Sequence, residues 1–235
     1  MRMEELKKPI GYWVDFILFL VENNITKIHI SNEYSSYNKI KKIFSNPKVN
    51  KIKSKLEVII KCSSPNFNNT VFNEQDLIDQ IKAYQKDLGI HKFYAIQWLW
   101  RGNLKNEAER LNNLKDNIIE INKSIKKIKK KYSNLFFSFP YTENFLRLSC
   151  DKIFLDGYTI YINLKEKKFV KFLKLKKKFI AIRPFIKIKK NQRQVFLKKI
   201  LQQSIKKKNI IGIMISFRNK LQIKSIIDIL NEKNF

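Results

Sequence analysis

Seven short apolar runs recur along the chain, and stretches with helical spacing separate most of them. The runs are 27–31, Leu56–Cys62, Phe93–Trp100, Leu135–Phe139, Tyr158–Ile162, Phe179–Ile182 and Ile210–Ile215. Their length and composition predict strands, and strands apolar on both faces need helices on both sides of a sheet. The helical stretches fit that need. Trp13, Phe16, Ile17 and Leu20 share one face of a helix over Tyr12–Asn23. A helix over Asn38–Phe44 stops before Pro47, and Phe72–Leu88 aligns Leu77, Ile81, Tyr84 and Leu88 before Gly89 ends it. Glu107–Lys131 reads as one long helix with a stripe of Leu111, Leu114, Ile118, Ile121, Ile125 and Ile128. Shorter helices are predicted over Thr142–Ser149, Asn191–Lys206 and Asn219–Leu230.

Strands alternating with helices imply parallel pairing and right-handed crossovers. No linker or shift of composition divides the 235 residues, so a single α/β domain over 1–235 is expected. A TIM-type (β/α) barrel accommodates this order, although such barrels usually have eight strands. The expected barrel is incomplete, with about seven parallel strands, because the residues before Tyr12 are too few and too polar for another. An open seam would expose a strand edge, which a second copy, a partner or a terminal segment would cover.

Composition narrows the function classes. With 5 Gly, the chain has no GxGxxG fingerprint or other glycine-rich phosphate loop. The apolar stretch Ile10–Val21 is interrupted by Asp15 and is too short to span a bilayer. Two Cys and no secretion signal point to a reducing cytoplasm, and two His are too few for a His-based metal site, so no metal is expected. The net charge of +29 would attract polyanions. However, lysines occur in nearly every predicted helix and bunch only at Lys123–Lys131 and Lys165–Lys190. That spread, with Asn and Ile also over-used, favours compositional drift over a dedicated nucleic-acid or membrane surface.

The predicted carboxyl ends of the first strands carry chemistry-bearing side chains. The first strand holds His29 and runs into Ser31, Asn32, Glu33 and Tyr34; the second runs through Val58, Ile59 and Ile60 into Lys61. The third contains Gln97, Trp98 and Trp100. In alternating strand–helix folds this edge is where loops converge on a cavity.

In this order the segments resemble the aldo-keto reductases, NAD(P)H-dependent carbonyl reductases built on a (β/α)8 barrel. That family's second strand ends in an Asp followed five residues later by a catalytic Tyr, positions held here by His29 and Tyr34. Its third strand ends in a catalytic Lys, matched by Lys61, and its fourth in a His, where Gln97 or Trp98 stands. For the cofactor, the resemblance implies Ser138 for the carboxamide of nicotinamide and Thr159 and Asn163 on the next strand. It also implies Arg183 in a Pro-containing motif, and Ser216, Arg218 and Asn219 around the phosphate. Trp98 and Trp100 are the implied substrate contacts. The wording Ser-Asn-Glu-Tyr, Ile-Lys-Cys and Gln-Trp-Leu-Trp-Arg looks like a divergent subset associated with bacterial surface-polysaccharide gene clusters.

The resemblance implies a reaction in which NADPH or NADH delivers hydride to a carbonyl while a side chain protonates the forming alkoxide. A phenol, with an ordinary pKa of about 10, is a reluctant acid unless an ammonium beside it stabilises the phenolate. Tyr34 and Lys61 are the expected acid and tuning base. His29 in place of Asp removes the carboxylate that would hold the ammonium. Glu33 is near enough in sequence to substitute, though a residue adjoining Tyr34 on a turn can point elsewhere. Gln97 can donate an amide N–H to a carbonyl oxygen. His29 also reads as a core histidine, and Cys62 as a buried small apolar residue. Two further readings stand beside the reductase: a barrel without turnover that binds or scaffolds, and a basic nucleic-acid-associated protein, for which no recognition signature is present.

Overall fold

The computed structural model describes residues 8–63, 72–99, 107–139, 142–161, 175–182, 195, 198, 209–216 and 219–231. They fall into two compact units, Met1–Asp156 and Gly157–Phe235. The fold class is α/β of the TIM type, an incomplete barrel in which the seven strands among the described residues follow chain order.

In the first unit, helix α1 (Ile10–Glu22) precedes strand β1 (Lys27–Ser31). Helices α2 (Tyr37–Phe44) and α3 (Pro47–Ile52), with a 3-10 turn at Lys53–Lys55, lead to β2 (Glu57–Ser63). Helix α4 (Glu74–Leu88), β3 (Phe93–Leu99), α5 (Glu107–Asp116), α6 (Ile118–Tyr132), β4 (Ser133–Ser138) and α7 (Glu143–Lys152) follow. β1, β2, β3 and β4 pair in parallel with their sequence neighbours. In the second unit β5 (Gly157–Tyr161), β6 (Lys178–Ile182) and β7 (Ile210–Met214) are likewise parallel, and helix α8 spans Lys220–Asn231.

The local chemistry explains the boundaries. Asn73 and Thr142 cap α4 and α7 by accepting the N–H groups of Asp76 and Phe145. Gly89, at φ 62°, takes the left-handed position that ends α4. Pro47 opens a short helix of its own, with Asn46 accepting from the N–H of Lys48. The long helix expected over Glu107–Lys131 is two helices broken at Asn117. There the Asn117 backbone leaves the helical region, at φ −107° and ψ 14°, and the Asn113 carbonyl accepts both its N–H at 3.1 Å and its side-chain amide at 2.8 Å. Beyond the break, Ile121, Ile125 and Ile128 are fully buried, as the stripe predicts, while Lys123, Lys126 and Lys127 face solvent. Asp156 closes the first unit. Its carboxylate accepts the N–H of Phe136 at 2.7 Å and the Lys129 ammonium at 2.6 Å.

Strand register sorts side chains onto two faces. His29, Ser31, Ile59, Lys61, Ala95, Gln97 and Phe137 lie on one. Ile30, Ile60, Cys62, Ile96, Trp98, Phe136 and Ser138 lie on the other, the face on which Trp98 meets Phe145 of α7.

Candidate functional site

The carboxyl ends of β1, β2 and β3 bring together four side chains expected from sequence and one more. In the sheet Ser31 is opposite Lys61, and Lys61 is opposite Gln97. After Ser31 the chain turns sharply. The Tyr34 N–H donates to the Ser31 carbonyl at 3.3 Å, and the Ser31 hydroxyl accepts the Glu33 N–H at 3.3 Å. A serine at this position supports a turn by bonding the backbone two residues on. The turn carries Glu33 and Tyr34 back towards β2.

Glu33 makes the difference from the sequence expectation, because its carboxylate accepts a hydrogen bond from the Lys61 ammonium. Lys61 is only 7% exposed, and an ammonium so far out of water needs a counter-ion. The resemblance placed that carboxylate on the strand, where His29 stands. Here the turn supplies it. The Lys61 ammonium also lies 5.9 Å from the Tyr34 ring centroid, and the His29 ring centroid is 6.4 Å from that of Tyr34. The Tyr34 ring therefore has both an ammonium and an imidazole as neighbours.

His29 bonds Gln97 across the strands, Nε2 to Oε1, at 2.9 Å. An amide oxygen can only accept, so Nε2 carries the proton and the imidazole is the neutral Nε2–H form. Burial pushes the His29 pKa down to about 4 by stripping water from the charged ring, and the bond to Gln97 opposes that only in part. The amide of Gln97 is thereby oriented, and its nitrogen takes no partner among the described residues. Gln97 itself is 3% exposed.

The residue that sequence reasoning counted only as helix core is Tyr84. From the buried face of α4 its hydroxyl accepts the Asn32 N–H at 2.6 Å and donates to the Lys61 carbonyl at 2.8 Å. The available signal was a tyrosine, rather than a phenylalanine, on an otherwise apolar stripe, since a buried phenol needs a partner for its hydroxyl.

Other expected residues lie apart from this group. Trp98 is on the opposite face from Gln97, among Phe72, Phe136 and Phe145, which is a core setting. Ser138 shares that face, fully buried, and its hydroxyl lacks a partner among the described residues. Cys62 is buried too, and burial pushes its thiol pKa up. In the second unit the Thr159 hydroxyl is buried and likewise without a partner among the described residues. Ser216 is exposed, and the residue that caps α8 is Asn219, whose side chain accepts the Gln222 N–H at 3.0 Å. Trp100, Asn163, Arg183 and Arg218 lie outside the described residues, as does the helix expected over 191–206 apart from Val195 and Lys198.

A parallel α/β barrel type with polar side chains grouped at the carboxyl ends of its strands is the class the geometry defines. Comparison with solved structures makes the class narrower. An aldo-keto reductase from Bacillus halodurans superposes with a TM-score of 0.72 at 7% identity, covering 98% of this chain and 85% of that one. One from Brucella melitensis gives 0.67 at 14% identity over 95% and 85%. One from Klebsiella pneumoniae, in complex with NADP and acetate, gives 0.66 at 6% identity over 94% and 80%. The chain has the aldo-keto reductase fold. No protein-family model and no curated protein matches the sequence.

Proposed function

We propose that the chain is a divergent member of the aldo-keto reductase family that reduces the carbonyl of a sugar-like molecule or small aldehyde or ketone with NADPH or NADH. The observation that carries this reading is the Glu33–Lys61 ion pair beside Tyr34, at the strand ends where such barrels place their chemistry. A nicotinamide cofactor would supply the hydride. Tyr34 donates its hydroxyl proton to the carbonyl oxygen as hydride reaches the carbon, so the product is the alcohol and the phenol is left as phenolate. Lys61 stabilises that phenolate electrostatically, and Glu33 keeps the ammonium charged and aimed. Gln97 donates from its amide nitrogen to the same carbonyl oxygen, and His29 holds the amide in that orientation by taking its oxygen.

For the cofactor, the Thr159 hydroxyl, buried and without a partner among the described residues, fits a hydrogen bond brought by a ligand. Ser138, on the helix-facing side of β4, does not fit the carboxamide role. The start of α8, with Ser216 and Asn219 before it, suits a phosphate because the positive end of a helix dipole attracts anions. Asn163, Arg183 and Arg218 complete the cofactor set by resemblance. A cytoplasmic setting, in keeping with only 2 Cys in the chain, and surface-polysaccharide metabolism are the proposed context.

The test is a fluorescence titration with NADPH and NADH, followed by turnover with a panel of aldoses and small aldehydes. Binding and aldehyde-dependent oxidation of the nucleotide are expected, and Tyr34→Phe should abolish turnover while leaving binding intact. No binding at millimolar nucleotide, or full turnover in Tyr34→Phe, would overturn the proposal.

A further inference from the structure

Tyr84 stands outside the expected chemistry, yet its hydroxyl is the link between the two strand ends that supply it. A phenol has one hydrogen to give, and Tyr84 gives it to the Lys61 carbonyl at 2.8 Å. Its oxygen then accepts from Asn32 at 2.6 Å. Both bonds end on backbone, one on β2 and one on the turn after β1. Tyr84 is fully buried, and its ring is braced edge-on by Tyr37 at 5.7 Å and Phe93 at 6.5 Å. The anchor is thus set by the core, while Asn32 itself is exposed.

We infer that Tyr84 is a positioning residue that fixes the turn carrying Glu33 and Tyr34 to the strand carrying Lys61. Asn32 precedes Glu33 and Tyr34 directly, so holding its N–H sets where both side chains leave the backbone. The Lys61 carbonyl belongs to the residue whose ammonium meets Glu33. One hydroxyl therefore fixes acid, counter-ion and ammonium in a single frame. The ion pair alone is no substitute, since it joins flexible ends of two long side chains. This inference rests on the roles proposed above for Tyr34 and Lys61.

The test compares the whole protein with Tyr84→Phe in the absence of nucleotide and substrate. Amide hydrogen exchange should find the Asn32 N–H protected in the native protein despite its exposed residue. Removing one hydrogen bond of ordinary strength should speed that exchange by about fivefold to tenfold. Amides in the centre of β3 should not follow. The titration of Tyr34, read by carbon-labelled tyrosine NMR, should move upward in Tyr84→Phe. In a catalytic assay kcat should fall with little change in KM. An unprotected Asn32 amide in the native protein overturns the inference, and that measurement does not need the variant to fold. Exchange and Tyr34 titration curves that superimpose in the two proteins overturn it as well. Neither readout needs turnover, so failure of the reductase proposal, seen in Tyr34→Phe, is recorded separately.

Discussion

Replacing Glu33 by Gln removes the counter-ion of an ammonium that has little water to turn to. The Lys61 side chain is 9% exposed and that of Glu33 29%. Two unit charges at about 4 Å attract by about 4 kcal/mol at the effective dielectric of about 20 near a protein surface. Water at the partly exposed carboxylate screens some of this. The Gln amide oxygen still accepts a hydrogen bond, which restores about 1 kcal/mol. The expected loss is therefore about 2–3 kcal/mol in urea denaturation. At this chain length that corresponds to a fall of about 5–10 °C in melting temperature. The control is the same substitution made in Lys61→Met, where there is no ammonium left to neutralise. In that background the loss should fall below about 0.5 kcal/mol. Equal losses in both backgrounds, or a loss below about 0.5 kcal/mol in the native protein, would show that Glu33 does not hold Lys61.

Other outcomes follow from the same geometry. The His29 pKa is about 4 in the fold against 6.5 ordinarily, so on acidification the unfolded chain takes up a proton first. Its stabilising contribution is whole above pH 6.5, declines as pH falls towards 4 and is level below that, a loss of about 3 kcal/mol. Urea denaturation of the native protein and His29→Gln between pH 7 and 4 checks this; identical pH slopes would refute it. Gly89→Ala forces a side chain into a left-handed position and should cost about 1 kcal/mol. The added carbon would meet only the Lys53 ammonium, which can swing aside, so a much larger loss in thermal melts would contradict the placement. Trp98→Ala should cost about 3–5 kcal/mol as a core truncation. It should leave the KM for a carbonyl substrate unchanged, and a raised KM in a folded variant would return Trp98 to the substrate site.

The strands were legible because buried parallel strands are short, apolar and flanked by helices that conceal both faces. Boundaries at Lys27, Phe93 and Ile210 coincide with the runs read from the sequence. The break at Asn117 was hidden because the apolar stripe continues across it, and periodicity reports which face is buried rather than whether the backbone is continuous. Helix α3 was hidden because Pro47 reads equally as a stop and as a first helical residue. Within the candidate site, His29, Lys61 and Gln97 stood out in the sequence because each lies on a strand, and Tyr34 because it lies in the turn just past one. The partnership of Glu33 with Lys61 stayed open in the sequence, since the direction of a turn side chain depends on turn geometry, and the Asn32 N–H of this turn is held by Tyr84, 52 residues away in the chain. Gln97 and Trp98 stayed alternatives in the sequence because neighbours on a strand point to opposite faces, and spacing alone does not say which face each takes.

Because Glu33 and Tyr34 are consecutive, the proposed acid and the carboxylate that pairs with Lys61 travel on one loop. Loops elsewhere on such a scaffold lengthen and shorten freely during divergence. This one cannot gain or lose a residue without displacing both groups in a single step, so its length should be the slowest to change among the loops that join strands to helices.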